Sequence, residues 1–389
     1  MADRSSDVSV VRVAQVGVRG FGYVHLGRID RLAEMGRVEL VATVDPGGPA
    51  EGRQVPAYES LTDLLARHEV DVVSIATPIG THYALAAEAI AAGADVMLEK
   101  PPVASMADFE RLCELAESSG RLVQIGFQSL GSAAVPRVRE LGAQIGDLTS
   151  VQVLGTWQRN RAYYQRSPWA GKRSMNGVRV ADGVCTNPLA HSFATAFALV
   201  GLTDIGQVAS IETELYHAHP IEADDTSWVR VNRTDGVPVD ASLVLTAETQ
   251  ADPTITLVGA KGSVTLAYTT DEITATIGDD EVSETTERTD LLENLLDARD
   301  GAAELLVPLR QTGGFMGVLE ATQVAPEPVQ IDEAHITWVG ADDLAYPHVE
   351  MVEHWQRTSL DQGVGYLEAG APWAREAARA TWAPGPQSS

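Results

Sequence analysis

Short apolar runs rich in β-branched residues alternate with helical stretches through the first third of the chain. Val10 to Val16 is the first run. A glycine cluster and a helical stretch to about Met35 follow it. Val38 to Val44 reads as a second strand, ending at Asp45. Leu61 to Arg67 reads as a helix and Val70 to Ala76 as a third strand. Thr81 to Ala92 is an alanine-rich helix stopped by Gly93. Val96 to Leu98 is a fourth strand, Ser105 to Ser118 a helix with Ser105 as its N-cap, and Leu122 to Phe127 a fifth strand. This rhythm predicts a doubly wound parallel sheet with helices on both faces and right-handed crossovers.

After about Leu130 the pattern changes. A short helix precedes Leu148 to Trp157, which alternates like a strand. A loop of aromatic and basic residues leads to a helix from about Asn187 to Val200. Several strands with tight turns fill Val208 to Ile277, the pattern of an antiparallel sheet. Leu291 to Gln323 is again helical, and the tail from Pro384 to Ser389 is expected to fray. The predicted fold is α/β: a Rossmann domain at 1–130, then an α+β domain at 131–389 with a large, mostly antiparallel sheet. The second domain is expected to carry substrate binding and oligomerisation.

Composition narrows the function. The 389 residues are 44% apolar and 21% charged, an ordinary globular profile that suits two domains. The net charge of -26 argues against nucleic acid and anionic membranes as partners. Cys113 and Cys185 have no metal-ligand spacing, and no metal site is expected. Met1 to Asp7 is polar, and no apolar run is long enough to span a bilayer, so the expected location is cytoplasmic. Lysine occurs only at Lys100, Lys172 and Lys261.

The chemistry-bearing residues begin at the first strand-to-helix turn. Gly17, Arg19, Gly20, Phe21 and Gly22 form a glycine loop where backbone N–H groups can face a pyrophosphate. Arg19 stands where a middle glycine is usual. On its own the loop can equally be a simple turn. Asp45, ending the second strand, can accept bonds from a ribose and repel a 2′-phosphate, which favours NAD over NADP. It can also cap a turn with Pro46 and Gly47. Arg19 and Arg53 are the residues that could host a phosphate instead. Thr77, Pro78 and His82 follow the third strand. Glu99, Lys100, Pro101 and Pro102 follow the fourth, at carboxyl ends where open α/β sheets bind ligands.

With Ala76-Thr77-Pro78…His82 and Glu99-Lys100-Pro101 in these places, the chain resembles the glucose-fructose oxidoreductase/inositol dehydrogenase family (Gfo/Idh/MocA). The resemblance implies that Thr77, Pro78 and His82 lie near the dinucleotide. It also implies that Glu99 lies by the nicotinamide ribose, that Lys100 reaches the reacting carbon, and that Lys100-Pro101 is cis. The family places Asp and His four apart on a helix facing the nicotinamide. Here Asn187 and His191 hold those positions, and that spacing shares one helix face. Asn187 can orient a hydroxyl but cannot take a proton. That task falls to His191 or Lys100, with Asp182 as a possible replacement carboxylate. Asn187 can also serve as the N-cap before Pro188. In the loop Trp157 to Arg173, residues Arg159, Tyr163, Trp169, Lys172 and Arg173 are candidates for a sugar with a charged substituent. A subunit interface is the competing reading for this loop.

The expected activity is NAD-dependent hydride transfer at a secondary hydroxyl of a sugar, polyol or sugar acid. The alternative is an NAD-dependent glycosidase working by transient oxidation, elimination, water addition and reduction. A dinucleotide sensor without catalysis is a third class. The family habit implies a homodimer or homotetramer.

Overall fold

The computed structural model describes residues 10–385. The expectations for Met1 to Asp7 and for most of the tail lie outside these residues. The described chain divides into two compact units. One comprises the described residues up to Val103, with Ala107–Gly126 and Asp290–Leu309; the other comprises Ala104–Met106, Phe127–Thr289 and the described residues from Arg310 onward.

The first unit contains strands β1 (Val11–Val16), β2 (Val38–Val44), β3 (Ala57–Tyr58), β4 (Val72–Ile75), β5 (Asp95–Leu98) and β6 (Val123–Ile125). Its helices are α1 (Phe21–Glu34), α2 (Leu61–Leu65), α3 (His82–Ala91) and α4 (Met106–Ser119). The strands form one parallel sheet in the order β3-β2-β1-β4-β5-β6, the doubly wound arrangement that the alternation predicts. β4, β5 and β6 are buried throughout, as strands covered on both faces must be. The short strand β3 and helix α2 lie between β2 and β4, where the sequence shows only one helix.

The second unit opens with α5 (Ala134–Gly142), β7 (Leu148–Gln158) and the short helix α6 (Arg161–Gln165). A two-stranded ribbon, β8 (Ser174–Met175) and β9 (Val178–Arg179), precedes α7 (Ala190–Val200). Strands β10 (Val208–His217), β11 (Thr226–Arg233), β12 (Val239–Val244), β13 (Thr246–Gly259), β14 (Gly262–Ala267), β15 (Glu272–Ile277) and β16 (Asp280–Thr285) follow. The helix α8 (Leu291–Arg299) belongs to the first unit, where Gln124 on β6 donates to Asn294 at 2.5 Å. The long helical stretch expected at Leu291 to Gln323 is therefore two separate helices. The second, α9 (Gly313–Val324), lies in the other unit.

The rest of the chain forms β17 (Val329–Gln330), a hairpin of β18 (Ile336–Val339) and β19 (Tyr346–Val349), α10 (Val352–Gln362), α11 (Tyr366–Ala369) and β20 (Arg379–Trp382). The large sheet is ten-stranded, running β16-β15-β14-β13-β7-β12-β11-β10-β17 with β20 also on β10. It is mostly antiparallel; β7–β12 and β10–β17 are parallel pairs.

Both faces of its β10 region are covered from within the unit. Ile211 lies against α9 near Gly317, whereas Tyr216, five residues along and so on the opposite face, meets Tyr366 and Trp373. Trp228, Val244 and Val352 join this second cluster. A fully buried ring of this kind contributes roughly 1.5–3 kcal/mol.

Candidate active site

In the first unit the glycine loop is built by close backbone approach. Gly17 has φ +80°, and a Cβ there would sit 2.2 Å from the Ala76 carbonyl oxygen. A Cβ on Gly22 would sit 2.1 Å from the Gly17 carbonyl oxygen. No side chain is tolerated at either outer position, and the opening turn of α1 stays bare. Arg19 does not fill this space. Its guanidinium is ion-paired with the Asp45 carboxylate and donates to the Gly47 carbonyl at 2.5 Å. Gly20 takes the turn with φ +54°.

Asp45 also accepts from the Val18 N–H at 3.1 Å and the Gly47 N–H at 2.8 Å. It therefore does cap its own turn, while its side chain stays 14% exposed at the end of β2. Arg53 pairs with Asp30 at 2.5 Å. Both candidate phosphate hosts are thus committed to carboxylates.

The loops after β4 and β5 are tied together by His82. One ring nitrogen lies 2.8 Å from the Thr77 carbonyl oxygen, the other 2.9 Å from that of Pro101. The ring is 1% exposed, so His82 shapes these loops through their backbone. Burial pulls its pKa down, and the facing carbonyls push it part of the way back. Thr77 and Thr81 hydroxyls are hydrogen-bonded at 2.7 Å. The Lys100-Pro101 bond is cis.

Glu99 is 5% exposed. Its carboxylate accepts from the Lys100 N–H at 3.1 Å and pairs with His25 Nε2 at 2.8 Å, and His25 Nδ1 is bonded to Ser74. The sequence reading gave His25 no role. Its signal was its place on the buried stripe of α1 with Leu26, Ile29 and Leu32. A polar ring there requires a polar partner.

In the second unit, Asp182 and Asn187 are joined directly. The Asn187 side-chain amide donates to the Asp182 carboxylate. Asp182 also accepts from Arg166 at 2.7 Å and from the Gly171 N–H at 2.6 Å, and its side chain is 1% exposed. A carboxylate so surrounded by donors is not a proton acceptor for substrate, which revises its reading as a replacement base. It acts on Asn187 instead. An ionised carboxylate only accepts, so the NH2 end of the amide must face it, and the Asn187 carbonyl oxygen is turned the other way.

Asn187 is not the N-cap of α7. It lies in the turn before the helix, its N–H bonded to the Gly183 carbonyl at 3.0 Å, and Leu189 occupies the N-cap. His191, in the first turn of α7, has Nδ1 3.2 Å from the Ser129 hydroxyl, which in turn accepts from Thr195 at 2.8 Å. Phe127 meets the imidazole edge-on at 5.6 Å. Ser129 was also unassigned from sequence, although it follows the end of β6 where strand-end loops gather function.

The aromatic-basic loop is an internal stack. Arg159 lies between Trp157 (4.7 Å) and Tyr163 (5.0 Å), and Arg166 between Tyr163 (3.9 Å) and Trp169 (4.7 Å). Burial raises the Tyr163 pKa. Arg159, Tyr163 and Trp169 thus brace the Arg166–Asp182 pair, which holds Asn187. Arg173 donates to the carbonyls of Thr322, Gln323, Ala325 and Pro326, closing the carboxyl end of α9. This is a structural task and revises its reading as a substrate contact. Lys172 is half-buried and has no ion pair among the described residues. No cluster of three metal-ligating side chains occurs among them, and no helix is long and apolar enough to cross a membrane.

Residues 11–127 match the model of an oxidoreductase family with an NAD-binding Rossmann fold, GFO_IDH_MocA. Over these residues, which make up most of the first unit, the chain is similar to that family. It is an oxidoreductase with an NAD-binding Rossmann fold. Inositol 2-dehydrogenase 1 of Saccharopolyspora erythraea is 29% identical over 266 residues, which cover 66% of this chain and 74% of that protein. Glycosyl hydrolase family 109 protein 2 of Shewanella sp. strain ANA-3 is 35% identical over 124 residues, 28% of this chain and 27% of that one. Among solved structures, the WlbA dehydrogenase of Bordetella pertussis, in complex with NADH and UDP-GlcNAcA, superposes with a TM-score of 0.67 at 23% identity. That match covers 80% of this chain and 95% of the other.

Proposed function

We propose that this oxidoreductase moves hydride between a secondary hydroxyl carbon of a sugar or polyol and NAD, with Asn187 and His191 of the second unit handling the hydroxyl and its proton. The observation that carries this reading is the Asp182–Asn187–Ser129–His191 arrangement in the second unit. It presents an amide oxygen and an imidazole at family positions four residues apart.

The dinucleotide would be held at the bare Gly17–Gly22 turn, with its ribose at Asp45, and when bound it accepts or returns the hydride. The chain's own groups manage the rest. The Asn187 carbonyl oxygen accepts a bond from the reacting hydroxyl. Ser129 Oγ accepts from the His191 Nδ1–H, which leaves proton exchange to Nε2. In the first unit, the Lys100 ammonium is the group suited to stabilise negative charge developing on an oxygen. Glu99, buried and paired with His25, fixes the start of the Lys100 turn.

A second reading keeps the same groups and adds elimination and hydration, giving net glycoside hydrolysis with NAD regenerated. The family 109 relative and the non-ionisable Asn187 support it. The experiment is a panel of polyols, sugars and glycosides with NAD, following NADH absorbance and sugar products together. NADH accumulating in step with an oxidised product is the expected result. Glycoside cleavage with catalytic NAD and no net NADH would move the conclusion to the second reading. NAD binding without turnover of any panel member would leave only a dinucleotide-binding role.

A further inference from the structure

A cleft of about 480 Å³ lies within the second unit, lined by Arg161, Tyr164, Gln165, Lys172, His219 and Glu222, with Gly171, Pro220 and Ile221 completing its walls. That volume suits a small ligand. Its cations are unusual for this chain. The net charge is -26, and most arginines here have a carboxylate partner. Arg161 has none among the described residues: its guanidinium stacks 4.3 Å over Trp338 and reaches only the Asp342 carbonyl at 3.4 Å. Lys172 has none either. Glu222 is the single carboxylate on the lining, and it is exposed.

The walls are held rigidly. His219 is 1% exposed, with Nδ1 2.8 Å from Asp225 and Nε2 3.0 Å from the Arg159 carbonyl oxygen. Its ring packs 4.5 Å from Tyr164. The shielded Tyr164 hydroxyl has no hydrogen-bond partner among the described residues. At Gly171, with φ +69°, a Cβ would lie 2.7 Å from Ile221, so this wall requires glycine. The same Gly171 donates its N–H to Asp182, the residue that orients Asn187, and the Lys172 carbonyl accepts from the Asp182 N–H at 3.3 Å.

We infer that this cleft seats the anionic end, carboxylate or phosphate, of a sugar ligand. Arg161 and Lys172 supply charge-assisted bonds to the oxyanion. Tyr164, backed by the buried His219 ring, and Pro220 supply the flat apolar face that a pyranose ring needs. The local cations override the repulsion of the acidic surface. This inference rests on the sugar-directed reading above, and through Asp182 it links the recognition end of the ligand to the residue proposed to hold its reacting hydroxyl.

The test is calorimetric titration of the full chain with D-glucuronate and glucose 6-phosphate, with glucose and inorganic phosphate as further arms. Saturable binding of at least one anionic sugar is expected, tighter than glucose or phosphate. It should weaken with salt and fall about tenfold or more in the Arg161→Gln/Lys172→Gln double variant. Unchanged affinity in that variant, no saturable binding of either anionic sugar, or phosphate binding as tightly as glucose 6-phosphate would overturn it. The glucuronate arm against the glucose 6-phosphate arm decides which anion is preferred. Turnover of neutral polyols with NAD is measured separately, so a failure of the hydride-transfer reading shows there and not in the titrations. Thermal melts of the double variant confirm that it is folded.

Discussion

The Asn187 side chain is turned by Asp182, whose carboxylate takes the amide NH2 and leaves the amide oxygen to face the other way. Asp182 is itself held by Arg166 and the Gly171 N–H. In hydrogen-bond polarity Asn187 then behaves like the carboxylate usual at this family position, without its basicity. In Asp182→Asn the amide loses its fixed acceptor and Arg166 its counter-charge. kcat/KM should fall on the order of 10²-fold, the scale of a small misplacement of a reacting group. NAD affinity should be unchanged by fluorescence titration. A rise in KM alone, with kcat intact, would show that Asn187 does not act on the reacting hydroxyl.

Asn187→Asp makes the complementary case. It sets two carboxylates against each other, and like charges at that range cannot both ionise easily, so one carboxyl pKa must rise. The pH profile of kcat/KM should gain an ionisation above the ordinary carboxylate range. A profile identical to that of the unmodified chain would mean that the two side chains do not face each other.

Ser129→Ala removes the partner of His191 Nδ1 while leaving Phe127 packed on the ring. kcat should fall roughly 10-fold or more, the lower end of general acid–base contributions. The limb of the pH–rate profile assigned to His191 should shift, and Ser129→Thr should restore much of the activity. A loss spread equally over every pH would mark Ser129 as merely structural.

Arg19 and Asp45 neutralise each other beside the expected ribose position. Removing the carboxylate in Asp45→Ser releases Arg19 as an uncompensated cation. The ratio of kcat/KM for NADP over NAD should rise by about tenfold or more. Steady-state rates with both dinucleotides decide it; an unchanged ratio would remove Asp45 from cofactor choice.

His82 makes stability depend on pH. Its folded pKa is depressed by burial below the unfolded value near 6.5. Above that value the ring is neutral in both states and its contribution is fully present. Below it the unfolded chain takes up a proton that the folded ring resists, so stability is lost as pH falls. Between about pH 6.5 and 5, denaturant midpoints of the parent should fall more steeply than those of His82→Asn. Parallel slopes would refute the assignment.

Much of the first unit was legible because its strands are buried on both faces and read as uninterrupted β-branched runs. Glu99-Lys100-Pro101 was legible because strand ends gather ligand-binding residues. His25 and Ser129 escaped because their roles depend on partners 74 and 62 positions away. The aromatic-basic loop stands out in the sequence, but its sequence alone does not separate its cations by task. Composition cannot tell a cation aimed at a ligand from one stacked between rings, as Arg159 is, or one closing a helix, as Arg173 does. The segment after Ala325 carried little signal. Its elements are short, and their stability comes from Tyr366 and Trp373 meeting Tyr216, more than a hundred residues earlier in the chain.

That late segment gives the large sheet a roof made from its own chain. The Tyr216, Trp228 and Val244 face is already spent, so a second copy could dock there only by first lifting Tyr366 and Trp373 away. If the protein assembles, it does so through other surfaces. A chain ended near Ala325 would not be a smaller enzyme but one with an open aromatic wound, bound for aggregation.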